Sequence, residues 1–329
     1  MTQTMRPLMR ALQLARLDGP DALSVVDVPV PNVPGAVIID VHAAGVAFAD
    51  LLLTQGRYQM RPEPPFVPGT DAAGVVRSAP DGSGFAPGDR VVATTLGSWA
   101  EVAAAAPAST FHMPDGMSFE QATSLINYQT GYFGLVTRGE LRAGEHVLVH
   151  GAAGGVGSAA VQIAHGLGAT VVAVAQGEQK RAIAVEAGAA HTLDADGDWL
   201  TDVRALTEGR GVEMVYDPVG GDRFTDSLRA LAPGGRLLVV GFAGGEIPTV
   251  KVNRLLLNNT SVMGVAWPEW YRGHPESQPE VAAGLQRLWE SGAVRPIVGE
   301  VYPLERGADA LRALQERRAT GKVVLRIRE

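Results

Sequence analysis

Cysteine is absent from the entire chain. That removes disulfide bonds, thiolate nucleophiles and every cysteine-bearing zinc site in one step. No apolar run approaches the roughly 18 residues that suggest a membrane span. The first residues, MTQTMRPLMRALQLARLDGP, carry Arg6, Arg10 and Arg16 but no unbroken apolar core followed by a small-residue cleavage site. A soluble, cytoplasmic protein without a membrane partner is the expectation. A basic surplus is also missing: the net charge is −7 and no block of basic residues occurs, which argues against nucleic acid as principal partner. The seven histidines (His42, His112, His146, His150, His165, His191 and His274) are scattered without a short ligand spacing. They fit structural or exposed roles better than metal ligation.

What remains is an ordinary globular composition, 46% hydrophobic and 19% charged, in 329 residues, a length that suits two domains. Residues 11 to 113 hold short β-like runs such as Ala36 to Val41 and Arg90 to Ala93, punctuated by PVPNVPG, PEPPFVPG and APDGSGFAPG. From about residue 118 the rhythm changes. The pattern predicts a helix over 118–137, then strand 146–150, helix 155–167, strand 170–175, helix 179–187, strand 212–216, helix 222–231, strand 236–240 and a last strand near 261–265. Such alternation reads as a doubly wound parallel sheet in an α/β protein. Helices over 279–290 and 307–317 and a strand over 322–327 complete the chain and are expected to return to the first, β-rich domain, making it discontinuous. The expected boundaries are 1–122 with 266–329 for that domain and 123–265 for the α/β domain.

Between strand 146–150 and the next helix lies HGAAGGVGSAAVQ. Glycines at 154 and 155 allow backbone to approach a pyrophosphate, Gly157 allows the helix to pack closely on the sheet, and the helix start offers free N–H groups and its positive dipole end. Against the usual G-x-G-x-x-G pattern, the first glycine position is Ala152. A dinucleotide is the expected ligand. The following strand ends in Val174-Ala175-Gln176-Gly177 without the acid that an NAD site places there for the ribose, while Lys180 and Arg181 follow. NADP(H) is therefore favoured over NAD(H), although these cations also fit a solvated helix face.

The segments AGVAFADLLLTQGRY, PPFVPGTDAAGVV, INYQTGYFGL, VLVHGAAGGVGSAAVQIA, VYDPVGGDRF and VVGFAGGEIP occur in the order of the medium-chain dehydrogenase/reductase superfamily. The chain most resembles its zinc-independent quinone oxidoreductase branch, the zeta-crystallin-like enzymes. The resemblance implies a GroES-like catalytic domain, a Rossmann domain, an active-site cleft between them, and a homodimer paired through the strand at 260–265. The zinc relatives hold their metal with Cys, His and Cys; these positions correspond to Ala47, Thr70 and about Ile126, and no metal site is expected. Without zinc to stabilise an alkoxide, a quinone or enone is the natural electrophile, because it spreads the added electron pair over a π system.

The resemblance also assigns residues. Asp50 and Tyr58 match polar residues of the quinone pocket: Tyr58 as proton or hydrogen-bond donor or as a packed aromatic, Asp50 as a backbone brace or in proton transfer. A family asparagine is Ala47 here, and a tyrosine after the aspartate is Leu52. Gly154, Gly155 and Val156 match the pyrophosphate turn, Asn127, Tyr128 and Thr130 the segment along the nicotinamide, and Val219, Gly241 and Phe242 the strand-end loops nearby. Lys180 matches the 2'-phosphate lysine, with Arg318 as a further phosphate candidate. Trp267, Trp270 and Tyr271 fit a cleft lining or a core or interface. The expected activity is NADPH-dependent hydride transfer to a quinone or other conjugated carbonyl. The alternatives are an enoyl or alkenal double-bond reductase and a non-catalytic NADPH-binding protein.

Overall fold

The computed structural model describes residues 7–328. The chain parts into two units after Ile126 and again after Ile297, so that one unit is built from both ends of the chain and the other from the stretch between. The first stretch contains β1 (Leu8–Leu14), β2 (Leu23–Pro29), β3 (Val37–Val46), α1 (Phe48–Thr54), β4 (Asp71–Ser78), β5 (Arg90–Thr94), β6 (Val102–Ala105), β7 (Thr110–His112) and α2 (Phe119–Ala122). α3 (Leu125–Tyr132) crosses the first division and continues as a π-helical turn, Phe133–Arg138. Then follow β8 (His146–His150), α4 (Gly155–Gly166), β9 (Thr170–Ala175), α5 (Gly177–Glu186), β10 (His191–Asp194), α6 (Trp199–Leu206), β11 (Val212–Asp217), α7 (Phe224–Ala230), β12 (Leu231–Val239), α8 (Asn253–Asn258), β13 (Ser261–Gly264), α9 (Trp267–Gly273) and α10 (Ser277–Glu290). β14 (Val298–Pro303), α11 (Gly307–Gln315) and β15 (Lys322–Arg326) return to the first unit.

In the first unit the main sheet runs β14-β15-β3-β4-β5-β7, with β6 also pairing β3. β15 lies antiparallel on β3, Val324 opposite Gly45, so the chain's last strand joins the sheet of its first hundred residues. The core beside this junction gathers Leu12, Val41, Trp99, Leu311 and Leu325. Prolines and glycines between the strands supply the turns, and alternating β-branched residues supply the buried face.

The second unit carries a parallel sheet in the order β10-β9-β8-β11-β12-β13. The chain starts at β8, winds outward through β9 and β10, then returns to build β11, β12 and β13 on the other side. This is the doubly wound, Rossmann-type arrangement, with its reversal point between β8 and β11. Both faces of such strands are covered, which is why Val147, Leu148, Val149, Val171 to Val174 and Met214 to Tyr216 are all fully buried. No helix among the described residues is long and apolar enough to cross a membrane.

The single helix expected over 118–137 is three pieces. Ser118 caps α2, accepting from Gln121 N–H at 3.1 Å, and the chain breaks at Thr123 before α3 begins. Residues 266–297, expected with the first domain, group with the second unit instead. The reason is polar as well as apolar: Trp267 Nε1 donates to Gln129 Oε1 at 3.2 Å, its ring lies 5.3 Å from that of Phe133, and Arg295 is bonded to Gln162. Trp267 is a core residue of this unit, 0% exposed.

Candidate functional site

The glycine turn closes the carboxyl end of β8. Gly151 takes φ +59°, the left-handed conformation that starts the turn, so the glycine that the usual fingerprint wants is supplied one residue before Ala152, which is itself fully buried. A Cβ on Gly157 would lie 2.1 Å from Gly151 O, which makes glycine obligatory there and draws the first turn of α4 onto the end of β8. Gly154 is the N-cap residue, and no side chain caps the helix. Gly154, Gly155 and Val156 are half-buried at the start of this 12-residue helix, whose uncapped N–H groups and dipole favour an anion.

Beside this turn lies the end of β11. Asp217, buried, accepts from both Val219 N–H and Gly220 N–H through Oδ1 at 2.9 Å each, shaping the loop that carries Val219. A Cβ on Gly151 would meet Val219 Cγ2 at 3.1 Å, so the two strand-end loops are in contact. Ala243 N–H donates to Pro218 O and Gly244 N–H to Val219 O, which brings the segment after β12, with half-buried Gly241 and exposed Phe242, to the same end of the sheet. The carboxyl ends of β8, β11 and β12 thus gather three of the expected segments near the reversal point, where open α/β sheets bind ligands.

α3 is fixed to this site from behind. Gln162 of α4 accepts at Oε1 from Tyr128 O–H and from Arg295 N–H, and donates from Nε2 to Arg295 O, each at 2.8 Å. Because Arg295 offers one donor and one acceptor, the amide orientation follows and the Tyr128 hydroxyl must donate. Asn127 is buried and Thr130 half-buried on the same short helix. His150, the last residue of β8, is fully buried with Nε2 2.8 Å from Ser227 Oγ. Ser227 already donates to Arg223 O, so His150 must carry its proton on Nε2. Burial, with Arg223 adding to it, pushes His150 down to about 3, and the ring is neutral at physiological pH.

The corner between β9 and α5 differs from its sequence expectation. Lys180 and Arg181 stand in α5 as foreseen, but Arg181 is ion-paired with Asp194, and Asp196 accepts from Gln176 Nε2 at 2.9 Å. Sequence reasoning missed Asp194 and Gln162. The signal for Asp194 was an acid at the end of the next strand rather than of β9; for Gln162 it was a polar residue within an otherwise small and apolar helix.

In the first unit, Asp50 is fully buried at the third position of α1 and accepts from Ala47 N–H through Oδ2 at 2.8 Å, bracing the helix start; its Oδ1 has no hydrogen-bond partner among the described residues. Burial pushes its carboxyl up to about 7, assisted by the charge of Asp71. Asp71 itself is held by Lys322 Nζ at 2.8 Å, with both side chains buried. A Cβ at Gly45 would come within 2.6 Å of that ammonium, so β3 carries glycine where Lys322 passes. Tyr58 is half-buried after α1. Arg318 is exposed and ion-paired with Glu316.

Two family models match in chain order: the alcohol dehydrogenase GroES-like domain over residues 33–118 and the zinc-binding dehydrogenase over 155–285. The bovine (Bos taurus) quinone oxidoreductase-like protein 2 is 37% identical over 97% of this chain and 93% of its own. The chain belongs to the medium-chain dehydrogenase/reductase superfamily, in its quinone oxidoreductase-like branch. Among solved structures of this superfamily, a probable oxidoreductase from Mycobacterium abscessus has a TM-score of 0.91 at 46% identity, over 98% of this chain and 100% of that one. A mycobacterial protein complexed with NADPH has a TM-score of 0.89 at 33% identity, over 97% and 100%. The superfamily's zinc does not fit here. Ala47 and Ile126 have no donor atom, Thr70 offers only a hydroxyl, and no group of three His, Cys, Asp or Glu residues that could hold a metal ion occurs among the described residues.

Proposed function

We propose that the protein is a zinc-independent oxidoreductase that binds NADP(H) and reduces a quinone or another conjugated carbonyl. The observation that carries this reading is the turn at the end of β8: Gly151 at positive φ, Gly157 against its carbonyl and an uncapped helix start, beside the end of β11. When bound, the nicotinamide supplies a hydride.

The chain's own residues do the rest by position. Gly154, Gly155 and Val156 offer backbone donors to the pyrophosphate, and Lys180 offers a cation to the 2'-phosphate. Val219, Gly241 and Phe242 border the nicotinamide half together with Asn127 and Thr130, which Gln162 holds in place through Tyr128. Tyr58 is the proposed donor to the oxyanion that forms on the acceptor. Asp50, fully buried with Oδ2 on the Ala47 N–H, serves as a brace for the start of α1. Arg318, exposed and engaged by Glu316, is the weaker phosphate candidate. With no ligating side chains where the relatives' zinc would stand, an acceptor that delocalises the added charge suits the site best.

A second copy of the chain is the proposed partner. β13 is the edge of its sheet and pairs only with β12 among the described residues, and α8, just before it, exposes Leu256 and Leu257 at 76% each. The functional test is oxidation of NADPH by chelator-treated protein, with 1,4-benzoquinone, 9,10-phenanthrenequinone and a long-chain 2-alkenal offered in parallel. Turnover with the quinones is expected. Preference for the alkenal makes it a double-bond reductase, and tight NADPH binding without turnover on any acceptor contradicts an enzymatic role.

A further inference from the structure

The end of β9 has no acid, yet the fold brings one to it. β10 lies parallel on β9 with Asp194 level with Ala175, the last residue of β9, and Ala195 N–H donates to Ala175 O. Asp194 then meets Arg181 of α5 in an ion pair and accepts from Asp196 N–H at 3.2 Å, while Gln176, the N-cap residue of α5, reaches across to Asp196. These contacts hold the Asp194 carboxyl below the usual carboxylate range, so it is ionised at neutral pH. A strand-end carboxylate in a doubly wound sheet accepts hydrogen bonds from the 2'-hydroxyl of an adenosine ribose and repels a 2'-phosphate. A guanidinium already engaged by a carboxylate gives less to a phosphate than one that is not.

We infer that Asp194 sets the discrimination between a 2'-phosphate and a 2'-hydroxyl at this corner, by standing in for the missing strand-end acid and by occupying Arg181. The inference rests on the dinucleotide reading above and adds to it a consequence. Lys180 favours NADPH while Asp194 opposes it, so the protein accepts both cofactors with a modest preference for the phosphorylated one.

The test is fluorescence titration of NADPH and NADH into the full-length protein and into Asp194→Asn, Arg181→Gln and Asp198→Asn. Asp198 accepts from Thr201 N–H at the start of α6, and asparagine caps equally well there, so this variant removes the same charge without touching the corner. In Asp194→Asn the ratio Kd(NADH)/Kd(NADPH) is expected to rise about fivefold, the range of an exposed ion-pair effect, and in Arg181→Gln to fall by a similar factor. Asp198→Asn is expected to change it less than about twofold, as screening at physiological salt implies. An unchanged ratio in Asp194→Asn, or an equal rise in Asp198→Asn, overturns the role of Asp194 while leaving dinucleotide binding intact. Failure of the unaltered protein to bind either cofactor overturns the dinucleotide reading itself.

Discussion

In the first unit a charged pair is buried, Lys322 against Asp71, each side chain no more than 3% exposed, with the carboxyl of Asp50 in their field. In the second unit the groups that hold α3 and the end of β8 are neutral: the Gln162 amide with the Tyr128 hydroxyl and the Arg295 backbone, and the His150 imidazole with Ser227, while Asp217, also buried, is engaged by the backbone N–H groups of Val219 and Gly220. The contrast follows what each unit has to hold. A neutral network behind the glycine turn leaves the helix dipole of α4 and the surface cations to deal with a polyanion. The first unit instead uses an ammonium to tie its last strand to β4, and pays for it with a glycine at position 45.

The largest effect is expected at Lys322. Lys322→Met strands a buried carboxylate and is expected to cost about 3–5 kcal/mol in urea unfolding, whereas Lys322→Met with Asp71→Asn, which removes both charges, recovers most of the loss. If the double variant is no more stable than the single one, the pair is not what binds β15 to β4. The neutral network should cost less. Gln162→Leu leaves three polar groups without their partner and is expected to lose about 2–3 kcal/mol. It should also weaken NADPH binding, because α3 loses its tether to α4; an unaltered affinity would separate the network from the site.

The smaller effects are in pH dependence, and the two units oppose each other. Asp50 sits near 7 in the folded protein against an ordinary 3.8, so between those values the folded state keeps a proton that the unfolded chain has lost, and stability falls as pH rises. His150 sits near 3 against 6.5; there the unfolded chain takes up the proton, and stability falls as pH drops through that window. Each slope has an upper limit of about 1.4 kcal/mol per pH unit. Asp50→Asn should therefore leave a protein that loses stability on acidification from pH 6.5, and His150→Gln one that loses it on going from pH 4 to 7. Thermal melts across that range check both signs. Smallest in energy is Leu256→Arg, which tests the proposed pairing of two copies: the unaltered protein is expected to scatter light as a dimer and this variant as a monomer, and a monomer in both cases contradicts the proposal.

How much of this could be read beforehand varies with how local the cause is. Strands such as Val147 to Val149 and Val171 to Val174 announce themselves as continuous apolar runs, because a parallel strand is covered on both faces. β10, HTLD, is four residues long with no buried residue, and so carries no such signal. The Gly157 contact is legible because only glycine fits against Gly151 O, and that requirement lies within one turn. The role of Asp194 is not, since it depends on strand register between segments separated by α5. The break between α2 and α3 escaped because the residues around Thr123 satisfy a helical pattern, and tertiary packing chose otherwise. The grouping of 266–297 was hidden for the same reason: Gln129 and Gln162 recruit that segment from more than a hundred residues away.

The most direct measurement is a crystal structure of the protein with NADPH. The pyrophosphate is expected on the backbone N–H groups of Gly155 and Val156 at the start of α4, and the 2'-phosphate at the corner of Lys180, Arg181 and Asp194. A cofactor bound at any other edge of the second unit's sheet would contradict this placement.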